Sequence, residues 1–195
     1  MTKPLSPTAK QTRQKIMNTF WELYKDGGIE KTSVTKICEL TGYNRSTFYT
    51  YFTDVYDVLD EIEKDVISFD KFKSVIFSNI IGHDKKEVPL RVFIDFYEEN
   101  NDYLVVLLGE HGDPSFRQKT IKKLAPGVFS LLGITNTEDK YLNYLIEYQS
   151  SAVLSTITKW YQNGKDIPCD ELITLLYNIT TNGVQHEFIQ YKKSL

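Results

Sequence analysis

The chain has 195 residues, of which 41% are hydrophobic, and this is enough to bury a proper core in one large domain or two small ones. Its two cysteines, Cys38 and Cys169, have no CxxC or CxxH spacing, which argues against a zinc site or a disulfide framework and indicates buried thiols of a cytosolic protein. The net charge of −3 is divided unevenly, because residues 1–53 hold 8 Lys/Arg and 4 Asp/Glu. A basic N-terminal segment on an acidic remainder is typical of a phosphate-facing module joined to a body that does not touch DNA.

Targeting segments are not evident in the sequence. No N-terminal stretch combines a basic start with an apolar core, and no apolar stretch approaches the roughly 18 residues that span a bilayer. We therefore expect a soluble, cytoplasmic protein.

The first predicted elements are a flexible arm and a helix. Residues 1–7 carry two prolines and no apolar periodicity. From Thr8, apolar side chains recur at three- and four-residue spacing, which predicts an amphipathic helix that Gly27-Gly28 ends. Lys10 and Arg13 of this segment, with Lys3 of the arm, could touch phosphates.

Two shorter helices follow around a glycine turn. Thr32 or Ser33 is the N-cap of the second helix, which ends at Thr41-Gly42 because glycine permits a left-handed backbone. Asn44 is placed to cap the third helix, predicted at about residues 44–51. The pair forms a helix-turn-helix whose exposed start carries hydrogen-bonding side chains suited to a DNA groove. These side chains are Asn44, Arg45, Ser46, Thr47, Tyr49 and Thr50. A glycine turn between helices is also common in proteins that never meet DNA.

The remaining periodicity predicts an all-α chain of about nine helices. We expect a long helix over about residues 54–81, others over 86–100 and 102–110, and a further one starting at Pro114 and interrupted before residues 128–132. Two longer helices, at about 138–163 and 168–193, are joined by the short loop 164–167, which makes them antiparallel neighbours.

The run from Thr32 to Leu59 resembles the N-terminal domain of TetR/AcrR-family transcriptional regulators. The matching features are the Thr-Ser pair, the Gly-aromatic turn, the Ser-Thr-Phe-Tyr sequence, the Tyr-x-Phe ending and Leu59. The WYQNGKDIP turn resembles the C-terminal region of a subgroup common in Gram-positive bacteria. One position departs from the family pattern: Val55 stands where members carry a lysine that holds a phosphate.

The resemblance implies a DNA-binding domain over residues 8–53 and a helical regulatory and dimerisation domain over 54–195. It implies a ligand-responsive repressor that binds a near-palindromic operator as a homodimer and is associated with the bacterial nucleoid when bound. The family's phosphate-contact and groove positions fall on Ser33, Thr35, Tyr49, Thr50 and Tyr51. From its own chemistry, Arg45 is the first candidate for a base contact, because a guanidinium can bond guanine O6 and N7 together.

The C-terminal aromatic residues have two interpretations, ordinary core packing or a ligand cavity between helices. The candidate cavity residues are Phe69, Phe72, Phe93, Phe96, Tyr97, Tyr103, Phe116, Tyr144 and Tyr148. The last two predicted helices also carry more apolar surface than one chain can cover, which is typical of a homodimer interface. The candidate interface residues are Ile157, Trp160, Leu172, Leu176, Ile179 and Phe188.

Catalytic and cofactor motifs have little support. Ser33 and Lys36 fit an SxxK pattern, but its companion motifs are absent, and neither GxGxxG nor GxxxxGK[ST] occurs, so we predict no enzyme and no cofactor. The histidines are dispersed, and residues 110–113, Glu-His-Gly-Asp, form either a metal site or, more simply, a polar turn.

Two alternatives stay open: a DNA-binding regulator controlled by a protein partner, and a helical enzyme with an incidental helix-turn-helix. The sequence specifies neither operator, inducer nor regulated genes, and it does not decide between repression and activation.

Overall fold

The structure is a computed structural model that describes residues 6–67, 90–109, 111–123 and 140–183. Every regular element within these ranges is a helix, which confirms the predicted all-α class. None of the helices in the described ranges is long and apolar enough to cross a bilayer.

Helix α1 spans Pro7–Lys25, and Ser6 is its N-cap. The Ser6 hydroxyl accepts a hydrogen bond from the Ala9 amide at 3.2 Å, and Pro7 occupies the first turn, where a missing N–H costs nothing. The helix ends before Gly28, whose φ of 69° is a left-handed value that glycine adopts without strain. Its apolar stripe is buried as predicted and consists of Ile16, Met17, Phe20, Trp21 and Tyr24.

A short 3-10 turn, Ile29–Lys31, connects α1 to α2, which spans Val34–Thr41. Ser33 is the N-cap of α2, because its hydroxyl accepts from the Lys36 amide at 3.3 Å. Thr32, the other candidate cap, is buried instead and donates its hydroxyl to the Gly28 carbonyl at 3.0 Å. Helix α3 then spans Arg45–Tyr51.

Helix α4 spans Val55–Val66 within the described residues, and the rest of the predicted 54–81 helix lies outside them. Both α2 and α4 pack on α1. The chain clusters into two compact units, and the first runs through Val66 and includes the short segment that ends at Asp113. This unit includes α4, which buries its apolar stripe. The stripe consists of Val58, Leu59, Ile62 and Val66.

The second unit contains the remaining described helices. These are α5 (Leu90–Glu99), α6 (Asn101–Leu107), α7 (residues 116–123), α8 (Lys140–Gln162) and α9 (Cys169–Asn182). Helix α9 packs on α5, and α6 packs on α8. The predicted helix at residues 128–132 and the end of the last helix, after residue 183, lie outside the described residues.

Helices α8 and α9 form the predicted antiparallel hairpin. The Gln149 side-chain amide donates to the Thr180 hydroxyl at 2.7 Å, which pairs positions on either side of the turn. The indole N–H of Trp160 donates to the Ile167 carbonyl at 2.8 Å and closes the connection. Gly164 and Lys165 take φ values of 74° and 59°, so the reversal is made by two successive left-handed residues.

Tyr161, near the end of α8, is buried, and its hydroxyl has no hydrogen-bond partner among the described residues. Burial is the main cause that raises the pKa of the Tyr161 phenol, and the nearby Cys169 thiol raises it further. The pKa of Cys169 is raised too, again mainly by burial. Both groups are therefore held in their neutral forms.

Removing the Tyr161 hydroxyl is expected to cost no stability. In Tyr161→Phe the ring still fills its site while an unpartnered polar atom disappears, so the free energy of unfolding at pH 7 should stay within about 1 kcal/mol of wild type or rise. Since the folded pKa lies above the ordinary value of 10.0, wild type should lose stability as pH rises past that value, and the variant should lose less.

Denaturant unfolding at pH 7 and at alkaline pH measures both effects, with Tyr56→Phe as the control because it removes a phenol that is 61% exposed. A loss of more than about 1 kcal/mol in Tyr161→Phe at pH 7 would mean that the hydroxyl does make a hydrogen bond.

Candidate nucleic-acid interface

The turn between α2 and α3 is fixed by backbone and side-chain hydrogen bonds. Gly42 has a φ of 75°, and its amide donates to the Cys38 carbonyl at 2.9 Å. The Thr41 hydroxyl donates to the Ile37 carbonyl at 2.7 Å and accepts from the Tyr43 amide at 3.3 Å. These bonds set the direction in which α3 leaves the turn.

Lys15 reaches this turn from α1. Its ammonium donates to the Thr41 carbonyl at 2.9 Å and lies 5.1 Å from the centre of the Tyr43 ring. The cation thus satisfies a carbonyl at the end of α2 and interacts with an aromatic face. This role of Lys15 is not evident from the sequence, because the contact joins residues 26 positions apart.

Helix α3 has one buried side and one exposed side. Phe48 is fully buried, and Phe52, just after the helix, is buried as well with its ring centre 5.8 Å from that of Phe48. The predicted groove-facing residues lie on the surface: Arg45, Ser46, Tyr49 and Thr50 are exposed, and Thr47 and Tyr51 are half-buried. The helix therefore packs through its aromatic face and presents hydrogen-bonding groups outward.

Asn44 caps α3 with a single side-chain oxygen. Its Oδ1 accepts from the Thr47 amide at 2.8 Å, from the Thr47 hydroxyl at 2.9 Å and from the Ser46 hydroxyl at 2.7 Å. The cap satisfies an amide that no helical carbonyl can reach, and it orients the two hydroxyls at the start of α3.

Arg45 is held across the turn by α2. Its Nη2 donates to the Thr35 hydroxyl at 2.8 Å, although both side chains are exposed. Lys36, on the same helix, donates its ammonium to the Lys31 carbonyl at 3.0 Å. The guanidinium therefore lies on the exposed surface shared by α2 and α3, where the hydroxyl orients it.

The start of α4 is occupied by carboxylates. Asp54 accepts from the Asp57 amide at 2.9 Å, and the Asp57 carboxylate accepts from the Thr53 amide at 2.9 Å and the Thr53 hydroxyl at 3.2 Å. This reciprocal capping neutralises the positive end of the helix, which could otherwise attract a phosphate. Besides the apolar Val55, the start of α4 thus carries two acidic groups.

Arg13, a candidate phosphate contact, interacts with other residues of the first unit. Its guanidinium forms an ion pair with Glu61 of α4 and lies 5.3 Å from the centre of the Phe52 ring. This pair links α1 to α4 and places a cation over the aromatic ring. Lys10 is exposed on α1.

The described candidate cavity residues differ in their exposure. Phe116 is buried and Phe96, Tyr97 and Tyr103 are half-buried, whereas Tyr144 and Tyr148 are exposed on α8. Phe69 and Phe72 and the side chain of Phe93 lie outside the described residues. Tyr144 and Tyr148 therefore do not line an enclosed cavity within one chain.

The candidate dimer residues also differ in their exposure. Ile157, Trp160 and Leu172 are buried within the single chain, so they are not available to a second copy, while Leu176 and Ile179 are half-buried and Phe188 lies outside the described residues. The exposed apolar surface of the hairpin lies elsewhere, mainly on the first half of α8. It consists of Tyr141, Tyr144, Leu145 and Tyr148, with Leu175 of α9. Both halves of α8 carry apolar residues at helical spacing, which is why periodicity did not separate the exposed set from the buried one.

An open groove of about 310 Å³ runs along α9. It is lined by Asp170, Glu171, Thr174, Leu175 and Asn178. Among the described side chains, no group of three or more His, Cys, Asp or Glu could hold a metal ion. His111 of the predicted polar turn is exposed, and Glu110 lies outside the described residues.

Residues 89–182 match a family model of TetR regulators described as a transcriptional regulator C-terminal region. No curated protein matches the chain in sequence. Several solved structures share its fold. The fatty acid degradation regulator FadR from Bacillus halodurans has a TM-score of 0.64 at 17% identity over 93% of this chain and 98% of its own.

A TetR transcriptional regulator from Streptococcus agalactiae has a TM-score of 0.65 at 21% identity, over 88% of this chain and 94% of its own. The dihydroxyacetone kinase operon activator DhaS has a TM-score of 0.54 at 18% identity, over 89% and 96% respectively. The match over residues 89–182 and the fold shared with TetR-family structures confirm the predicted resemblance to this family.

Replacing the α3 cap tests how far the helix depends on Asn44. Asn44→Ala leaves the Thr47 amide without its partner and should lower the free energy of unfolding by about 1 kcal/mol. Asn44→Asp keeps an accepting oxygen and should retain most of the stability. Urea unfolding of both variants measures the difference, and equal stability of the alanine and aspartate variants would contradict the capping role.

Proposed function

We propose that this protein binds DNA in a sequence-specific manner as a homodimer, and that each subunit places α3 in the major groove of one half of a near-palindromic operator. The observation that carries the proposal is the division of α3 into a buried aromatic face and an exposed polar one. A helix held in this way matches the geometry by which a helix-turn-helix contacts base edges.

Arg45 is the proposed base contact, and guanine O6 and N7 are its proposed target. Thr47 would meet a thymine methyl group or a base edge, and the remaining groups would contact phosphates and the groove walls. These are Ser33, Thr35, Asn44, Ser46, Tyr49, Thr50 and Tyr51. Thr35 has a second role in this proposal, because its hydroxyl already orients the Arg45 guanidinium at 2.8 Å.

The homodimer is proposed to form through the exposed surface of the α8–α9 hairpin. Tyr141, Tyr144 and Tyr148 lie at three- and four-residue spacing and are 82%, 77% and 66% exposed. A contiguous apolar stripe of this kind is rare on a monomer and is typical of an interface between copies. Ile157 and Trp160 lie on the opposite, buried side and would hold the hairpin in shape.

Control of binding is proposed to come from a small molecule bound among the C-terminal helices, acting as an inducer that releases a repressor. The similar structures named above are described as a fatty acid degradation regulator and an operon activator, so activation of the regulated genes is the alternative to repression. The alternative, control by a protein partner, is favoured by the same exposed tyrosines, which no described helix covers. Calorimetric screening of small molecules would separate the two.

Selection of bound sequences from a random pool of duplex DNA tests the function as a whole. The proposal expects enriched sequences with two inverted half-sites at a constant spacing, because two α3 helices read one duplex. Recovery of a single unpaired half-site would overturn the dimer, and the absence of enrichment would overturn sequence-specific binding.

Arg45→Ala should weaken binding to the selected operator by roughly 1–3 kcal/mol per contacted base pair and relax preference at one position of each half-site. A binding titration against operators varied at each base pair measures this, and an unchanged preference would contradict the assignment. Thr35→Val should relax the same position while keeping the salt dependence, since the hydroxyl that it removes orients Arg45 and carries no charge. Thr35→Ser, which keeps the hydroxyl, is the matched control.

Restoring a cation at the start of α4 should strengthen binding. In Val55→Lys the new ammonium can neutralise a phosphate, so the slope of log affinity against log salt should steepen by about 0.9 for each subunit. Titrations at several salt concentrations measure the slope, with Val55→Met as an uncharged control of similar length. An unchanged slope in the lysine variant would mean that Asp54 and Asp57 keep the phosphate away.

Placing a charge on the exposed stripe should separate the dimer. Tyr144→Glu puts a carboxylate at a position that is 77% exposed in one chain, so the monomer should keep its helical content. Sedimentation should show half the mass at micromolar concentration, and operator affinity should fall because the two half-sites are no longer read together. Asn143→Glu, at an exposed position of α8 that lies off the stripe, is the control, and a Tyr144→Glu variant that stays dimeric would contradict the proposed interface.

A further inference from the structure

The last turn of α2 has no basic residue of its own, although a cation is favourable there. Helix α2 ends at Thr41, and its last four residues are Cys-Glu-Leu-Thr. The carbonyl groups at the end of a helix lack helical partners and carry partial negative charge, so they favour a nearby cation. Glu39 places a carboxylate in this turn instead. A stabilising cation can therefore come only from another element.

Lys15 of α1 supplies that cation. Its ammonium donates to the Thr41 carbonyl at 2.9 Å, and the same ammonium lies 5.1 Å from the centre of the Tyr43 ring. The two contacts fall on either side of Gly42, the left-handed residue at which the chain turns from α2 towards α3. One side chain of α1 thus holds both flanks of the turn.

Packing around Gly42 cannot replace these contacts. Gly42 is exposed, and a Cβ atom at residue 42 would have no described atom within 4 Å apart from its chain neighbours. Tyr43 is half-buried and directly precedes Asn44, the N-cap of α3. A displacement of Tyr43 therefore moves the cap and the first turn of α3, where Arg45 lies.

We propose that Lys15 is a positioning residue for DNA recognition, which sets the direction of α3 through the α2–α3 turn and does not itself bind a phosphate. Its side chain is exposed, but its ammonium already interacts with Thr41 and Tyr43. Without that ammonium the turn relaxes, and Arg45 is no longer presented in one orientation. The meaning for recognition rests on the proposed DNA binding, whereas the effect on the turn does not.

Lys15→Met tests the proposal in the full-length protein, because it removes the ammonium and keeps an unbranched side chain. Affinity for DNA selected from the random pool should fall about threefold to tenfold, and preference should relax at the base pairs assigned to Arg45 and Thr47. The slope of log affinity against log salt should stay that of wild type, since no phosphate contact is lost. Lys15→Arg, which can donate to the same carbonyl and lie over the same ring, should retain both affinity and preference.

The matched control is Lys10→Met, which removes the same charge from an exposed position of the same helix. It should leave the base preference unchanged, whatever its effect on the salt slope. Two results for Lys15→Met would overturn the proposal. One is an unchanged base preference, and the other is a slope shallower by about 0.9 for each subunit, which defines a phosphate contact.

Hydrogen exchange tests the effect on the turn in the absence of DNA. The Gly42 amide donates to the Cys38 carbonyl at 2.9 Å, and the Tyr43 amide donates to the Thr41 hydroxyl at 3.3 Å. Exchange of both amides should accelerate at least about threefold in Lys15→Met and stay at the wild-type rate in Lys10→Met. Unchanged exchange in Lys15→Met would overturn the proposal. Wild type without salt-dependent DNA binding would overturn the proposed function while leaving the exchange result valid.

Discussion

The burial of Phe48 is the contact on which the candidate site depends. Helix α3 has only seven residues, and a helix of two turns is not stable alone in water. Its one fully buried side chain, Phe48, packs with Phe52 and fixes which face of the helix is turned outward. Asn44 at the start and Gly42 in the preceding turn then fix the axis, so the exposed groups are presented in one orientation.

Positive charge in the first unit serves two purposes, and the structure separates them. Arg13 and Lys15 hold the unit together, the first by pairing with Glu61 and the second by binding the end of α2. Arg45 lies at the surface, and Asp54 and Asp57 neutralise the α4 terminus that could hold a phosphate. The net charge alone therefore overstates the number of cations that are available to phosphates. The proposed specificity depends more on the hydrogen-bonding groups of α3.

Local features were predictable from the sequence because they depend on neighbouring residues. Gly42 and Asn44 mark the turn and the cap by their own backbone and side-chain preferences, and α1 follows from its apolar spacing. Contacts between distant residues were not predictable: nothing in the sequence pairs Arg13 with Glu61 or brings His111 to Gly28. Periodicity was also insufficient on α8. It detects the apolar stripes of the helix, but it does not show which stripe packs against another helix of the same chain. Trp160 is buried, and Tyr144 is exposed.

The central claim is that α3 of this protein enters a DNA groove and that its neighbours meet phosphates. The most direct test is a titration of duplex DNA, selected from a random pool, at several salt concentrations. The account predicts a linear fall of log affinity with log salt, with a slope of about −0.9 for each phosphate neutralised. An affinity that does not change with salt, or no binding at the lowest salt concentration, would contradict it.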